Sequence, residues 1–340
     1  MTPSLPLLAA ASLVAGVLTL PTPLSAGDLS AGDVVERVGA STASERHRVL
    51  AYWTPRRMAA ATPLGLLDLP GSLRAIGGAL ARPGLLGALA GAPRAGARPE
   101  PEPARRRTAG REAITAGSQW TAGGVVGRTT GRVFLTLNGA DFVCSASTVR
   151  SASKDVVITA GHCVKDGAGA WAENWTFVPG YHEGAKPYGS YTARRLFVAG
   201  PWARQADDDH DVAMVALNSD GGRHVADAVG AQEISFAPVR GAQTYGFGFP
   251  AEPPYDGERL YYCAGRPRPD PYGGTEDQGL GCKLTAGASG GPWLTGFDPR
   301  TGHGTITSVS SFKYLDDPNT MYGPTFGPST RELFATAERA

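Results

Sequence analysis

The chain of 340 residues carries 32 Lys and Arg against 31 Asp and Glu, a net charge of +1, which excludes a global field drawing it onto nucleic acid or an anionic membrane. At 42% hydrophobic and 19% charged it is able to bury a core, and 46 Gly and 27 Pro without a three-residue period exclude collagen and argue against a long helical bundle. The length corresponds to about two domains at roughly 150 residues each.

An apolar run from Leu5 to Leu20, shorter than a membrane span and followed by Pro21, Pro23 and the small pair Ser25-Ala26, reads as a secretory signal peptide over residues 1–26. The expected location is therefore extracellular, with no stable membrane anchor. From Gly27 to about Gly117 there is no cysteine. Asp33 to Ala60 is expected to be helical, with Val34, Val35 and Val38 on one face. Residues 64–91 are rich in Leu, Gly and Ala, and their glycines weaken any helix. Residues 92–111, with six Arg, four Pro and two Glu, are too poor in apolar side chains to fold and form a linker open to proteolysis.

After Gly117 short apolar runs alternate with Gly, Pro, Asp and Asn. Strands are expected at Arg132 to Leu137, Phe142 to Val149, Asp155 to Thr159, Trp175 to Val178, Ser190 to Phe197 and Val212 to Leu217. A second set is expected at Gln243 to Phe249, Arg259 to Cys263, Gly279 to Leu284, Pro292 to Thr295 and Gly304 to Lys313. This spacing without repeated βα alternation points to an antiparallel sandwich or barrel, and about 220 residues suffice for two small barrels. Ser329 and Glu332 read as a capping box opening a last helix, before Leu333, Phe334 and Ala337.

All four cysteines lie between Cys144 and Cys282. An even count in an exported chain suggests disulfides, and two groups each spanning 19 residues favour Cys144 with Cys163 and Cys263 with Cys282. The spacings C-x-x-C and H-x-x-x-H are absent from the sequence, so no metal site is expected.

Three segments carry chemistry. Val156 to Cys163 puts His162 just after a buried strand, Asp209 to Val215 puts Asp211 at the mouth of another, and Gly287 to Trp293 surrounds Ser289 with glycines. Their order, His then Asp then Ser with gaps of 49 and 78 residues, fits acyl transfer by a serine triad. A hydroxyl is a weak nucleophile near its free pKa, so Ser289 needs His162 as base, and His162 needs a carboxylate to hold its tautomer. Asp211 rather than Asp207, Asp208 or Asp209 directly precedes the apolar strand. The developing oxyanion is expected to be met by the backbone N–H groups of Gly287 and Ser289.

These segments resemble the T-A-G-H-C, D-[VIL]-A and G-x-S-G-G-P motifs of the trypsin-like serine peptidases of the chymotrypsin clan, from roughly Gly117 to the C-terminus. Phe134 to Gly139 leading into Cys144-Ser145-Ala146-Ser147 is similar to the secreted bacterial branch that includes glutamyl endopeptidases. The resemblance implies a mostly β fold of two six-stranded-type antiparallel β-barrels with a C-terminal helix. The peptidase domain would span residues 118–340, with barrels at about 118–230 and 231–325 and the helix at about 329–339; residues 27–117 would be propeptide and linker. It implies His162, Asp211 and Ser289 as triad, Gly287 as oxyanion donor and Cys144–Cys163 as a staple beside the histidine. It further implies a secreted, cofactor-free monomer made as a proenzyme, whose partners are a protein or peptide substrate and its own propeptide.

Two departures from the family bear on activation and specificity. Ala288 stands where the animal enzymes have an Asp to pair a freed N-terminal ammonium, so activation is expected to proceed by unblocking the cleft. Lys283 stands six residues before the serine, where trypsin has the Asp that binds Lys or Arg. Substrate-binding residues are expected at Lys283, Thr285, Ser310, Ser311, Phe312 and Lys313, with cleavage after Arg or Lys excluded and Glu or Asp weakly favoured. Many glutamyl endopeptidases use a histidine on the strand that here reads Thr307 to Lys313 and holds none.

Two rival readings differ in class. Gly287 to Gly291 also satisfies the G-x-S-x-G nucleophile elbow of α/β-hydrolases, but Pro292 disturbs the helix that must begin there, and His303 is the sole histidine after the serine. A catalytically silent binding module on a peptidase fold would be expected to have lost a triad member.

Overall fold

The computed structural model describes residues 33–64, 113–272 and 274–340. The signal-peptide reading, the Leu/Gly/Ala-rich stretch and the Arg/Pro linker lie outside them, apart from Leu64 at the edge.

The N-terminal segment is not the helix expected from Asp33 to Ala60. Val34–Val38 is strand β1, followed by helices Ala43–Tyr52 and Pro55–Ala60 and the two-residue strand β2, Thr62–Pro63. The valines read as one helical face are β-branched residues that here fill a sheet edge. The first helix opens on a capping box from Thr42 to Glu45, the second on Thr54 with Pro55 in its first turn. Next comes β3, Ile114–Gln119.

Six strands build the first barrel: β4 (Thr130–Leu137), β5 (Ala140–Thr148), β6 (Val156–Thr159), β7 (Glu173–Pro179), β8 (Tyr191–Ala199) and β9 (Ala213–Leu217). The sheet runs β8-β7-β4-β5-β6-β9 and closes by β8–β9 pairing, with β1 added on β8 and β2 on β5. Its interior holds Val133, Leu135, Val157, Phe177, Val198 and Val215, alternate residues of the strands as a closed sheet requires.

The second half contains β10 (Glu233–Ile234), β11 (Thr244–Gly248), β12 (Tyr261–Gly265), β13 (Arg268–Pro269), β14 (Gln278–Gly281), β15 (Pro292–Asp298), β16 (His303–Val309) and β17 (Thr320–Gly323). A six-stranded sheet runs β10-β16-β15-β11-β12-β3, and β13-β14-β17 form a smaller one. Residues 118 and 119, assigned from the sequence to the first barrel, thus pair through β3 with Tyr261 and Tyr262 of the second.

The barrels meet across polar and aromatic contacts. Arg132 is buried and donates to Glu258 at 2.8 Å and to the Tyr181 hydroxyl at 3.2 Å, while Tyr181 packs edge-on against Phe249. The C-terminal helix, Pro328–Glu338, buries Leu333 and Ala337. Its N-cap is Gly327 with Pro328 in the first turn, not the capping box read from Ser329 and Glu332; proline's fixed φ starts the helix two residues before the start that cap implies. Disulfides join Cys144 to Cys163 and Cys263 to Cys282. Among the described residues no helix is long and apolar enough to cross a membrane.

Candidate active site

The turn after β6 is built by Cys163, Val164 and Lys165 donating to the carbonyls of Ala160 and Gly161, and the disulfide ties it to β5. A side chain at Gly161 would meet Asp211 Oδ1 at 2.9 Å and the Trp202 ring at 3.0 Å, so glycine here lets the acid approach. Asp211 follows a single 3₁₀ turn, Asp208–His210, and directly precedes Val212 and β9. It is fully buried and accepts three bonds: from the His162 backbone N–H at 2.7 Å, from His162 Nδ1 at 2.8 Å and from the Ser311 hydroxyl. Burial alone would raise its pKa, but the His162 charge and these donors outweigh it and hold the carboxyl below its ordinary value. With Nδ1 facing a carboxylate, Nε2 is the nitrogen left to accept.

Ser289 lies on the second half, between β14 and β15, with its carbonyl receiving Ser145 N–H of β5 at 2.8 Å. His162 Nε2 and Ser289 Oγ are both buried without a hydrogen-bond partner. Gly287 has φ +93°, and a side chain there would meet the Phe249 carbonyl at 2.7 Å. The carbonyls of Ala286 and Ala288 are held by Ala251 N–H at 2.8 Å and Gly291 N–H at 3.0 Å. In planar trans peptides this aims the N–H groups of Gly287 and Ser289 the opposite way, and among the described residues neither donates to a backbone carbonyl. A side chain at Gly290 would collide with Thr159 and the Ser145 carbonyl of the first barrel, so this glycine lets the two halves meet, while one at Gly291 would collide with the Phe247 carbonyl of β11 in its own half.

Ser145 was not singled out as functional by the sequence. Its hydroxyl donates to the Gly287 carbonyl at 2.8 Å and accepts Phe249 N–H at 2.9 Å, fixing the loop that carries Ser289 from β5 of the first barrel. No local signal marks it, because both partners lie more than 100 positions away.

The expected substrate-binding residues divide. Lys283 is exposed, its N–H bonded to the Thr115 carbonyl at 2.8 Å, so it is not the base of a buried pocket; pairing beside β3 turns its side chain outward. Thr285 Oγ1 is engaged with the Glu252 backbone, and Ser310 Oγ accepts Trp293 Nε1 at 3.0 Å. Ser311 serves Asp211, and Phe312 is buried in a stack on Tyr322 at 5.4 Å. Lys313 remains: its ammonium donates to the carbonyls of Cys282 at 2.7 Å and Pro318 at 2.8 Å. Burial pushes its pKa down to about 8, with Lys283 adding repulsion and Asp317 and Glu252 opposing.

A second acidic group adjoins the first. Asp277 is buried with neither carboxylate oxygen hydrogen-bonded. Burial first, then the charges of Asp209, Asp208, Asp211 and Asp270, push its pKa up from 3.8 to about 9, and Asp208 is raised to about 7 by burial and the neighbouring acids. A carboxyl whose folded pKa is raised gives stability that is fully present below the unfolded value and lost as pH climbs through the folded one, here from about 4 to 9. Asp277→Asn is therefore expected to raise Tm at pH 8 to 9 and to flatten its decline from pH 6. Thermal melts across that range check this, and an unchanged slope would contradict it.

The ligand atoms of Cys144, His162 and Cys163 lie within 4.8 Å of one another, but the two sulfurs are bonded to each other and offer no thiolate to a metal.

The trypsin family model matches residues 119–262, a range that holds His162 and Asp211 and stops short of Ser289. The protease Anisep from Arthrobacter nicotinovorans is 39% identical over 63% of this chain and 96% of its own, with a TM-score of 0.60. A thermostable serine protease from an extremophilic microorganism is 38% identical over 64% of this chain and 99% of its own, also at 0.60. A Glu endopeptidase at 16% identity and TM-score 0.54 shares the fold, covering 66% of this chain and 97% of its own. The extracellular metalloprotease of Bacillus subtilis is 32% identical over 71 residues, 21% of this chain, which spans only 23% of that protein's length. Strand order, the closed first barrel, the trypsin family match and near-complete coverage of a protease and a serine protease at almost 40% identity converge: the chain belongs to the trypsin-like serine proteases.

Proposed function

We propose that the chain is an exported serine endopeptidase, made as a precursor, that hydrolyses peptide bonds through His162, Asp211 and Ser289. The observation that carries this reading is the hydrogen-bonding pattern: Asp211 takes both the backbone N–H and Nδ1 of His162, while His162 Nε2 and Ser289 Oγ are left unpartnered. His162 Nε2 removes the Ser289 proton as Oγ attacks the substrate carbonyl, and Asp211 stabilises the imidazolium that forms. The Gly287 and Ser289 N–H groups receive the oxyanion, worth about 2.7 to 4 kcal/mol per donor. Nε2 then protonates the leaving amine, and water repeats the sequence on the acyl-enzyme. An active-site fluorophosphonate should label the wild type and not Ser289→Ala; equal labelling would sink the assignment.

The apolar run at Leu5 to Leu20 supports export, and the Arg/Pro-rich stretch at 92–111 supports cleavage of a precursor there. Specificity in this reading rests on Lys313, whose ammonium lies between carbonyls of the segment preceding Ser289 and of the loop before β17. Like charges a few Å apart repel by several kcal/mol at an effective dielectric near 20, of the order of 4 kcal/mol at 4 Å, so Arg or Lys at the cut site is disfavoured. With its pKa near 8, Lys313 is charged below that value and neutral above it. On matched peptides cut after Arg, Glu or Phe, kcat/KM should be lowest for Arg, and the Glu-to-Phe ratio should fall between pH 7 and 9. A highest value for Arg would place another group in the pocket.

A further inference from the structure

We infer that residues 33–64 are a working part of the first barrel, a non-covalent subunit that remains bound after the linker is cut. The barrel closes through β8–β9, but without them one edge of β8 is left unpaired over most of its length. Strand β7 pairs with β8 only at Thr176↔Thr192 and Phe177↔Tyr191, so Arg195 to Ala199 has no partner from β7. Strand β1 takes up that stretch in a five-rung antiparallel ladder from Val34↔Ala199 to Val38↔Arg195. Gly39 and Ala40 extend it by donating to the carbonyls of Arg194 and Ala193, each at 2.9 Å. An edge left bare would expose a row of unpaired backbone groups to water and to other chains.

The segment also fills space. Trp53 is 2% exposed, packs on Phe134 of β4 at 5.5 Å and donates Nε1 to the Asn174 carbonyl at 2.5 Å. Met58 and Leu64 are buried too, and Leu64 N–H bonds to the Val143 carbonyl at 3.3 Å. Polar groups of the barrel depend on it: buried Asn218 donates to the Ala40 carbonyl at 2.8 Å, and Asp141 accepts the Tyr52 hydroxyl at 2.7 Å and Arg57 Nε at 3.0 Å. Removing the segment would strip backbone partners and an aromatic anchor at once, the combination that marks a hot-spot interface.

The test cuts the linker without relying on the chain's own activity. A site for a sequence-specific protease is inserted between Ala104 and Arg105 of the full chain carrying Ser289→Ala, and the cut protein is examined by size exclusion and native mass spectrometry at 1 µM, a working concentration of the order at which a specific interface holds. The two fragments are expected to run as one complex. Separate elution of the N-terminal fragment under native conditions would overturn the inference. In Trp53→Ala the tether should keep the uncut chain folded, and cutting should weaken association roughly 100-fold or more. Equal association of cut wild-type and cut Trp53→Ala forms would also overturn it, since the anchor would then carry nothing. Because binding is the readout, the result is independent of whether Ser289 is the nucleophile.

Discussion

Ser289→Ala is expected to lower kcat by roughly 10⁶-fold, and His162→Ala by about the same, because members of one proton-transfer unit fail together. The fold is expected to survive the serine change. Ser289 Oγ is buried with no hydrogen-bond partner, so removing it takes away an unsatisfied polar atom, and Tm should hold or rise slightly. Steady-state kinetics with a melt of the same sample check both halves. Residual activity within tenfold of wild type would exclude Ser289 as the nucleophile, and a collapse in Tm would show that the loop needs its hydroxyl.

Asp211→Asn is expected to lower kcat by about 10⁴-fold with little change in KM. Asparagine keeps the shape but brings an N–H₂ group where an acceptor is required, and Asp211 now accepts from His162 N, His162 Nδ1 and Ser311. The ring must turn its other tautomer to the amide, which places a proton on Nε2, where the base should be empty. Fluorophosphonate labelling should slow in parallel with kcat. A drop shared by KM and kcat, or a loss of folded protein, would instead indicate a structural role for the carboxylate.

Several features were legible because each is local. The run Thr159 to Cys163 carries the strand end, the turn glycine, the histidine and the cysteine that ties it down within five consecutive residues. Both disulfides close loops whose cysteines stand 19 positions apart, so grouping in the chain anticipated the joined pairs. Most strands from β4 to β17 followed from short apolar runs punctuated by turn residues, since alternation and turn chemistry are encoded in neighbouring positions.

Tertiary structure alone decided the rest, because the deciding partner was distant in the chain. Val34 to Val38 fits either a helical face or a strand until β8, some 160 positions later, presents an edge without a partner. Spacing from the serine singles out Lys283 as the pocket cation; its exposure, and the carbonyl capture of Lys313, depend on how β3 and the loop before β17 lie beside Cys282. In the sequence Ser145 and Asp277 are an ordinary hydroxyl and an ordinary carboxyl, and Ser311 reads as a substrate-binding residue. They become a support of the Ser289 loop, a donor to Asp211 and a buried acid with a raised pKa only when the two halves close, since hydrogen bonding and desolvation act through space and not along the chain.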